Sequence, residues 1–172
     1  MKKALNIVTT VLLVLVLIIA FLLVGMQLFG FQVLTVLSGS MNPTYPTGSV
    51  VYVKEVDTED LGVGDVITYR ISDKTLVTHR IVRLETDPDN PDQLMFRTKG
   101  DNNDDEDGLV HPSAVVGKVY FGIPLLGYIA HVMQLPFGKF IAIAVCVFVV
   151  LLTFIPDILW GKEKTSDKEA KK

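Results

Sequence analysis

Polar and apolar positions fall in blocks along the chain. No charged side chain occurs from Ala4 to Val53, and Val8–Leu23 is almost wholly Val, Leu, Ile and Ala. A second apolar run covers Phe140–Ile155. A helix needs about 20 apolar residues to cross a bilayer. Ala4–Met26 offers 23, softened only by Asn6, Thr9 and Thr10, and so predicts a spanning helix. The second run reaches only about 24 Å as a helix. Extended to Trp160 it has 21 residues, with Pro156 and Asp157 inside it and Trp160 at the interface. Its apolar residues lie on every face, which argues against a core helix in so small a domain.

The region between alternates short β-branched runs with Gly, Pro, Asp and Asn clusters. Strands are expected at Ser49–Lys54, Asp65–Arg70, Leu76–Leu84, Leu94–Lys99 and Ala114–Tyr120, with a turn at Asp87–Asp92. No 3.6-residue period appears there. The expected fold is mainly β, a barrel-like domain of about 100 residues. Ile123–Pro136 is apolar, bounded by prolines and too short to span. It is expected as a strand or loop on the bilayer surface, or as the end of the core.

Composition sharpens this picture. Hydrophobic residues make up 49% of the 172, an excess that is concentrated in the two apolar runs. Met1-Lys2-Lys3 also opens secretory signals, but these have apolar cores of roughly 7–15 residues. The longer run here, with no Ala-x-Ala after it, favours an uncleaved anchor. Lysines flank the outer ends of both runs: Lys2 and Lys3 before the first; Lys162, Lys164, Lys168, Lys171 and Lys172 after the second. Both ends are therefore expected in the cytoplasm. Residues 31–137 hold 8 Lys and Arg against 15 Asp and Glu, a balance of −7, which suits the far side of the membrane. Lys139 is the exception and can snorkel. An acidic domain argues against nucleic acid as a partner. The tail Lys162–Lys172 reads as disordered. Cys146 alone makes no internal disulfide and, in an apolar run without a base, is not a candidate nucleophile.

Candidate chemistry begins at Val36–Val51, VLSGSMNPTYPTGSVV, directly after the apolar run. Ser38 and Ser40 stand one residue apart, with Pro43 and Pro46 as stiffeners. A serine hydroxyl needs a neighbouring base. Of the three histidines, His131 lies in the apolar Ile123–Pro136 stretch and His111 in a loop before Pro112. His79 lies mid-strand, which holds a base more rigidly, and is the best geometric candidate. An orienting acid must come from elsewhere, and Lys99–Gly108, KGDNNDDEDG, offers Asp101, Asp104, Asp105, Glu106 and Asp107. Spacing alone leaves its identity open. The run also suits a solvated loop or a Ca²⁺ site, but the EF-hand glycine is out of place, and no His/Cys cluster has zinc spacing.

These residues carry a resemblance. Ser-Gly-Ser-Met-x-Pro-Thr at 38–44, Gly64-Asp65-Val66-Ile67-Thr68-Tyr69, Thr78-His79-Arg80-Ile81 and Lys99-Gly100-Asp101-Asn102-Asn103 resemble, in order, the four boxes of type I signal peptidases, peptidase family S26. The resemblance covers residues 36 to about 120 and implies a signal-peptidase-like β catalytic domain between two transmembrane helices. Histidine at position 79, where the common bacterial branch has lysine, resembles the archaeal and endoplasmic-reticulum branch. That branch implies Ser40 as nucleophile, His79 as general base and Asp107 as first choice for the acid, with Asp101 supporting. Ser38 is implied as an oxyanion donor beside the Ser40 backbone N–H.

The implied protein is a multi-pass serine endopeptidase of the cell membrane. It needs no metal or cofactor and removes signal peptides from exported preproteins. Expected boundaries are 1–3 cytoplasmic, 4–28 anchor, 29–137 extracytoplasmic catalytic domain, 138–160 second span and 161–172 cytoplasmic tail. Expected partners are secretory preproteins, membrane lipid and the protein-secretion channel. Ser40 follows Met26 by 14 residues, which would keep it near the bilayer. Met41 and Ile123–Pro136 are expected to touch lipid there. Rival readings are a Ser–Lys dyad through Lys54 or Lys99, a protease dedicated to a few exported proteins, and a non-catalytic anchored domain.

Overall fold

The computed structural model describes residues 2–151 except 88, 89, 91, 92, 139, 142 and 146. Cys146, Lys139, the expected end of the second span with Trp160, and the charged tail lie outside the described residues. The chain forms two compact units, one of residues 1–25 with 132–172 and one of Met26–His131.

In the first unit, α1 runs Lys2–Leu23. Its Asn6–Leu23 stretch is long and apolar enough to cross a membrane by length and composition. Val8, Val11, Leu15 and Leu17 are all exposed, so the helix needs apolar surroundings. The buried Thr9 hydroxyl donates to the Asn6 carbonyl, which satisfies its polar group within the helix. The described residues of 138–151 are also helical. They do not reach the length of a second span.

The second unit is one antiparallel sheet of seven strands in the order β1-β2-β7-β3-β4-β5-β6. These are Phe31–Thr35, Val50–Lys54, Val66–Ser72, Thr75–Thr86, Leu94–Lys99, Leu109–Val110 and Val115–Ile123, numbered along the chain. The ladder has two edges, β1 and β6, where a barrel-like domain was expected. The five expected strands all form, each within about three residues of its expected ends. Alternation along each strand splits the core in two. Ile67, Tyr69, Ile81, Phe96 and Val110 pack with Leu61 on one face. Met41, Val51, Val53, Val66 and Val119 pack together as a second cluster. On β2, Tyr52 points away from that second cluster and stacks on Phe121, with ring centroids 4.4 Å apart.

Two expectations are corrected. Within Ile123–Pro136, where a strand or surface loop was one expectation, Leu126–Gln134 forms helix α2. Its first turn is seated on the loop after Ser40, where the Gly127 N–H donates to the Gly48 carbonyl at 2.9 Å. A Cβ on Gly127 would stand 2.6 Å from that oxygen, so only glycine fits the contact. Met41 does not face lipid. It is 1% exposed and belongs to the second cluster, where truncation to alanine would cost about 2–5 kcal/mol.

Candidate active site

The loop bearing Ser40 is pinched at its base. Val36 N–H donates to the Ser49 carbonyl, and Gly48 N–H donates to the Val36 carbonyl, both at 2.9 Å. Inside it, Asn42 N–H donates to Gly39 and Tyr45 N–H to Met41. Met41, buried beside Ser40, pins the loop to the core. The Asn42–Pro43 peptide is cis. Ser40 is half-buried and Ser38 exposed, and their hydroxyl oxygens are 3.1 Å apart.

Strand β4 supplies the candidate base. His79 pairs with Ile67 of β3 and is 7% exposed. Its Nδ1 lies 2.5 Å from Asp107 Oδ2. The same carboxylate oxygen accepts from the Thr98 hydroxyl at 2.7 Å and the Tyr69 hydroxyl at 3.2 Å. The aspartate backbone is fixed too: the Asp107 N–H donates to the Thr98 carbonyl, and Arg97 Nη1 donates to the Asp107 carbonyl. A carboxylate at Nδ1 holds the proton on that nitrogen, which leaves Nε2 of neutral His79 as the acceptor. Among the described residues no hydrogen bond joins Ser40 to His79.

Asp101 stands in a different setting. Arg80 grips it with both prongs, Nε to Oδ1 at 2.8 Å and Nη2 to Oδ2 at 2.7 Å, and Thr44 donates to Oδ2 at 2.5 Å. The Arg80 hydrogen bonds hold its carboxyl below the usual carboxylate range, against the opposing effect of burial. Arg80 also donates to the Gly64 carbonyl, and so ties three of the four sequence boxes together. The neighbouring Asn102 N–H donates to the Ser40 carbonyl at 2.8 Å. A Cβ on Gly100 would stand 2.7 Å from that oxygen, so this approach of two loops requires glycine.

The other candidates are placed elsewhere. His111 bonds to Ser113 and Gln93, and caps the short helical turn Pro112–Ala114. His131 is exposed on α2. Lys54 lies over the Phe31 ring and Lys99 donates to the Asp104 carbonyl, so neither makes a bond to a serine. The acidic run is divided among partners: Arg80 holds Asp101, His79 faces Asp107, and Glu106 pairs with Arg83. Among the described residues no cluster could hold a metal ion. An open cleft of about 430 Å³ between Gln32, Glu55, Arg70 and Asp73 contains none of these side chains.

The sequence reading does not single out Tyr69 or Thr98. The signal lay in strand register. Tyr69 is two residues beyond Ile67, the partner of His79, and Thr98 is the partner of Ile81, two beyond His79. Side chains two apart share a face, so both flank the histidine diagonally.

Comparison with known proteins agrees with the family resemblance. The family described as "Signal peptidase, peptidase S26" matches residues 7–93, a span that contains Ser40 and His79 and ends before Asp101 and Asp107. The chain is 44% identical over 98 residues to signal peptidase I W of Bacillus subtilis, covering 56% of this chain and 50% of that protein. It is 32% identical over 114 residues to the signal peptidase complex catalytic subunit SEC11 of Ogataea parapolymorpha, covering 56% of this chain and 64% of that protein. It is 28% identical over 130 residues to the human subunit SEC11C, covering 70% of this chain and 67% of that protein. The chain thus spans about half the length of the bacterial relative and under two thirds of the yeast one.

Proposed function

The chain belongs to the signal peptidase S26 family, and from that premise we propose that it is a membrane-anchored serine endopeptidase that removes signal peptides from exported preproteins. The observation that carries this reading is the His79 Nδ1–Asp107 Oδ2 contact of 2.5 Å, on a strand whose next residue fastens the Ser40 loop through Asp101 and Thr44.

In this reading Ser40 Oγ exchanges its Ser38 partner for His79 Nε2 and passes its proton there as it attacks the scissile carbonyl. Asp107 keeps the imidazole in the Nδ1–H tautomer and stabilises the imidazolium. The Ser38 hydroxyl and the Ser40 backbone N–H stabilise the oxyanion, a contribution of about 3 kcal/mol for one such donor. His79 returns the proton to the leaving amine of the mature protein. It then takes one from the water that hydrolyses the Ser40 ester and frees the signal peptide. Asp101 acts as a clamp and takes no part in proton transfer. Residues 4–28 and 138–160 span the membrane, residues 29–137 face away from the cytosol, and both ends are cytoplasmic. Preproteins meet the enzyme as they leave the secretion channel.

Two measurements test this. The full chain in detergent should cut a model preprotein after the small residue that precedes the mature sequence, and a fluorophosphonate probe should label wild type but not Ser40→Ala. A chain that neither cuts nor labels contradicts the reading. Protease added outside spheroplasts should remove residues 29–137 and spare both ends, and the opposite pattern contradicts the topology.

A further inference from the structure

The Asp107 side chain has more partners than a simple Ser–His–Asp reading requires. Three donors converge on its Oδ2 alone: His79 Nδ1 at 2.5 Å, Thr98 Oγ1 at 2.7 Å and Tyr69 OH at 3.2 Å. They come from three adjacent strands, β4, β5 and β3, and all point to the face of the first core cluster. Thr98 is 0% exposed and Tyr69 5% exposed, so solvent does not replace either donor. We propose that Tyr69 and Thr98 are positioning residues that fix the Asp107 carboxylate against His79. The inference rests on the Ser40–His79–Asp107 reading and deepens it.

The geometry has a chemical reason. Asp107 lies outside regular strand and reaches back to β4 from a loop, and an aspartate side chain is free to rotate about two bonds. Donors on a single oxygen fix both rotations and aim that oxygen at Nδ1. A charged oxygen accepts several bonds at once, each stronger than a neutral one. The Thr98 proton serves the nearer acceptor, Asp107, although Tyr69 OH is also within 3.2 Å. The Tyr69 hydroxyl is then free to donate to the same carboxylate. Burial first, and then the Asp107 charge, push the Tyr69 phenol up to about 12, against a lowering bond from Thr98, so it stays a donor throughout the working pH range. The Tyr69 ring stands edge-on to the imidazole at 6.5 Å and limits its tilt.

A positioning role predicts effects on kcat more than on KM. In the full detergent-solubilised chain, Thr98→Val should lower kcat about tenfold and Tyr69→Phe about threefold to tenfold, with KM within about twofold. Thr98→Ser restores the hydroxyl and should return to within about threefold of wild type. Assays run below every variant's thermal transition separate this from loss of fold. If Thr98→Val and Tyr69→Phe lower Tm but keep wild-type kcat, both residues are structural only and the proposal fails. Asp107→Asn is the control on the parent reading. If it is as active as wild type, that reading fails and the proposal with it. If it is inactive while the other two variants are normal, the positioning proposal alone is overturned.

Discussion

Asp101 and Asp107 close the two ends of one acidic loop, six residues apart, yet their surroundings assign them different work. Asp101 meets a permanent cation, Arg80, and the hydroxyl of Thr44. Asp107 meets a titratable ring, His79, and two neutral hydroxyls. The cause is strand alternation. His79 and Arg80 are consecutive on β4 and point to opposite faces, so each takes a different end of the loop. An aspartate clamped to arginine has its charge committed to holding two loops together. One set against histidine can hold a tautomer and answer a developing charge. Identical side chains thus meet different neighbours, and on the proposed mechanism one is a fastener and the other the orienting acid.

Variants that break this division should rank clearly. On the proposed mechanism Ser40→Ala and His79→Ala remove the nucleophile and the base, and either should lower kcat by about 10⁴-fold or more in the cleavage assay. Arg80→Met releases the fastener and leaves a carboxylate without its main partner. Thermal or urea unfolding should record a loss of about 1–3 kcal/mol, and activity should fall less than in the catalytic variants. Acid should unfasten the same clamp. The folded Asp101 carboxyl is depressed, first by its Arg80 bonds, so its stabilisation is full above the ordinary carboxylate range and lost as pH falls through the folded value. The Tm of wild type should therefore drop below about pH 4, and Asp101→Asn, already without the charge, should show a shallower drop. Arg83→Ala, at an exposed pair with Glu106, should move Tm by no more than about 2 °C.

Much of this was legible in the sequence, for reasons that can be named. β5 falls on Leu94–Lys99, as the β-branched and aromatic alternation indicates, because turn clusters bound it on both sides. β1 was missed because Phe31–Thr35 follows the apolar run without a polar break or clear alternation. β6 is two residues long, too short for any period to register. α2 was missed because apolar residues between prolines have no strand or helix period strong enough to decide. Its start is set by a backbone bond to Gly48, 79 positions away in sequence. At the candidate site, residue types and order marked Ser38, Ser40, His79 and both aspartates. Spacing alone left partner choice within the acidic loop open, because it depends on which face of β4 each end reaches; the family resemblance put Asp107 first as the partner of His79. Tyr69 and Thr98 required the pairing register, which no single strand contains.

The most direct test compares kcat of Asp107→Asn and Asp101→Asn on one preprotein, each at a temperature where circular dichroism shows both folded. The account predicts a fall of about 10³- to 10⁴-fold for Asp107→Asn, where the wrong tautomer is favoured, and a much smaller fall for Asp101→Asn. Equal losses in the two, or a greater loss in Asp101→Asn, would contradict it.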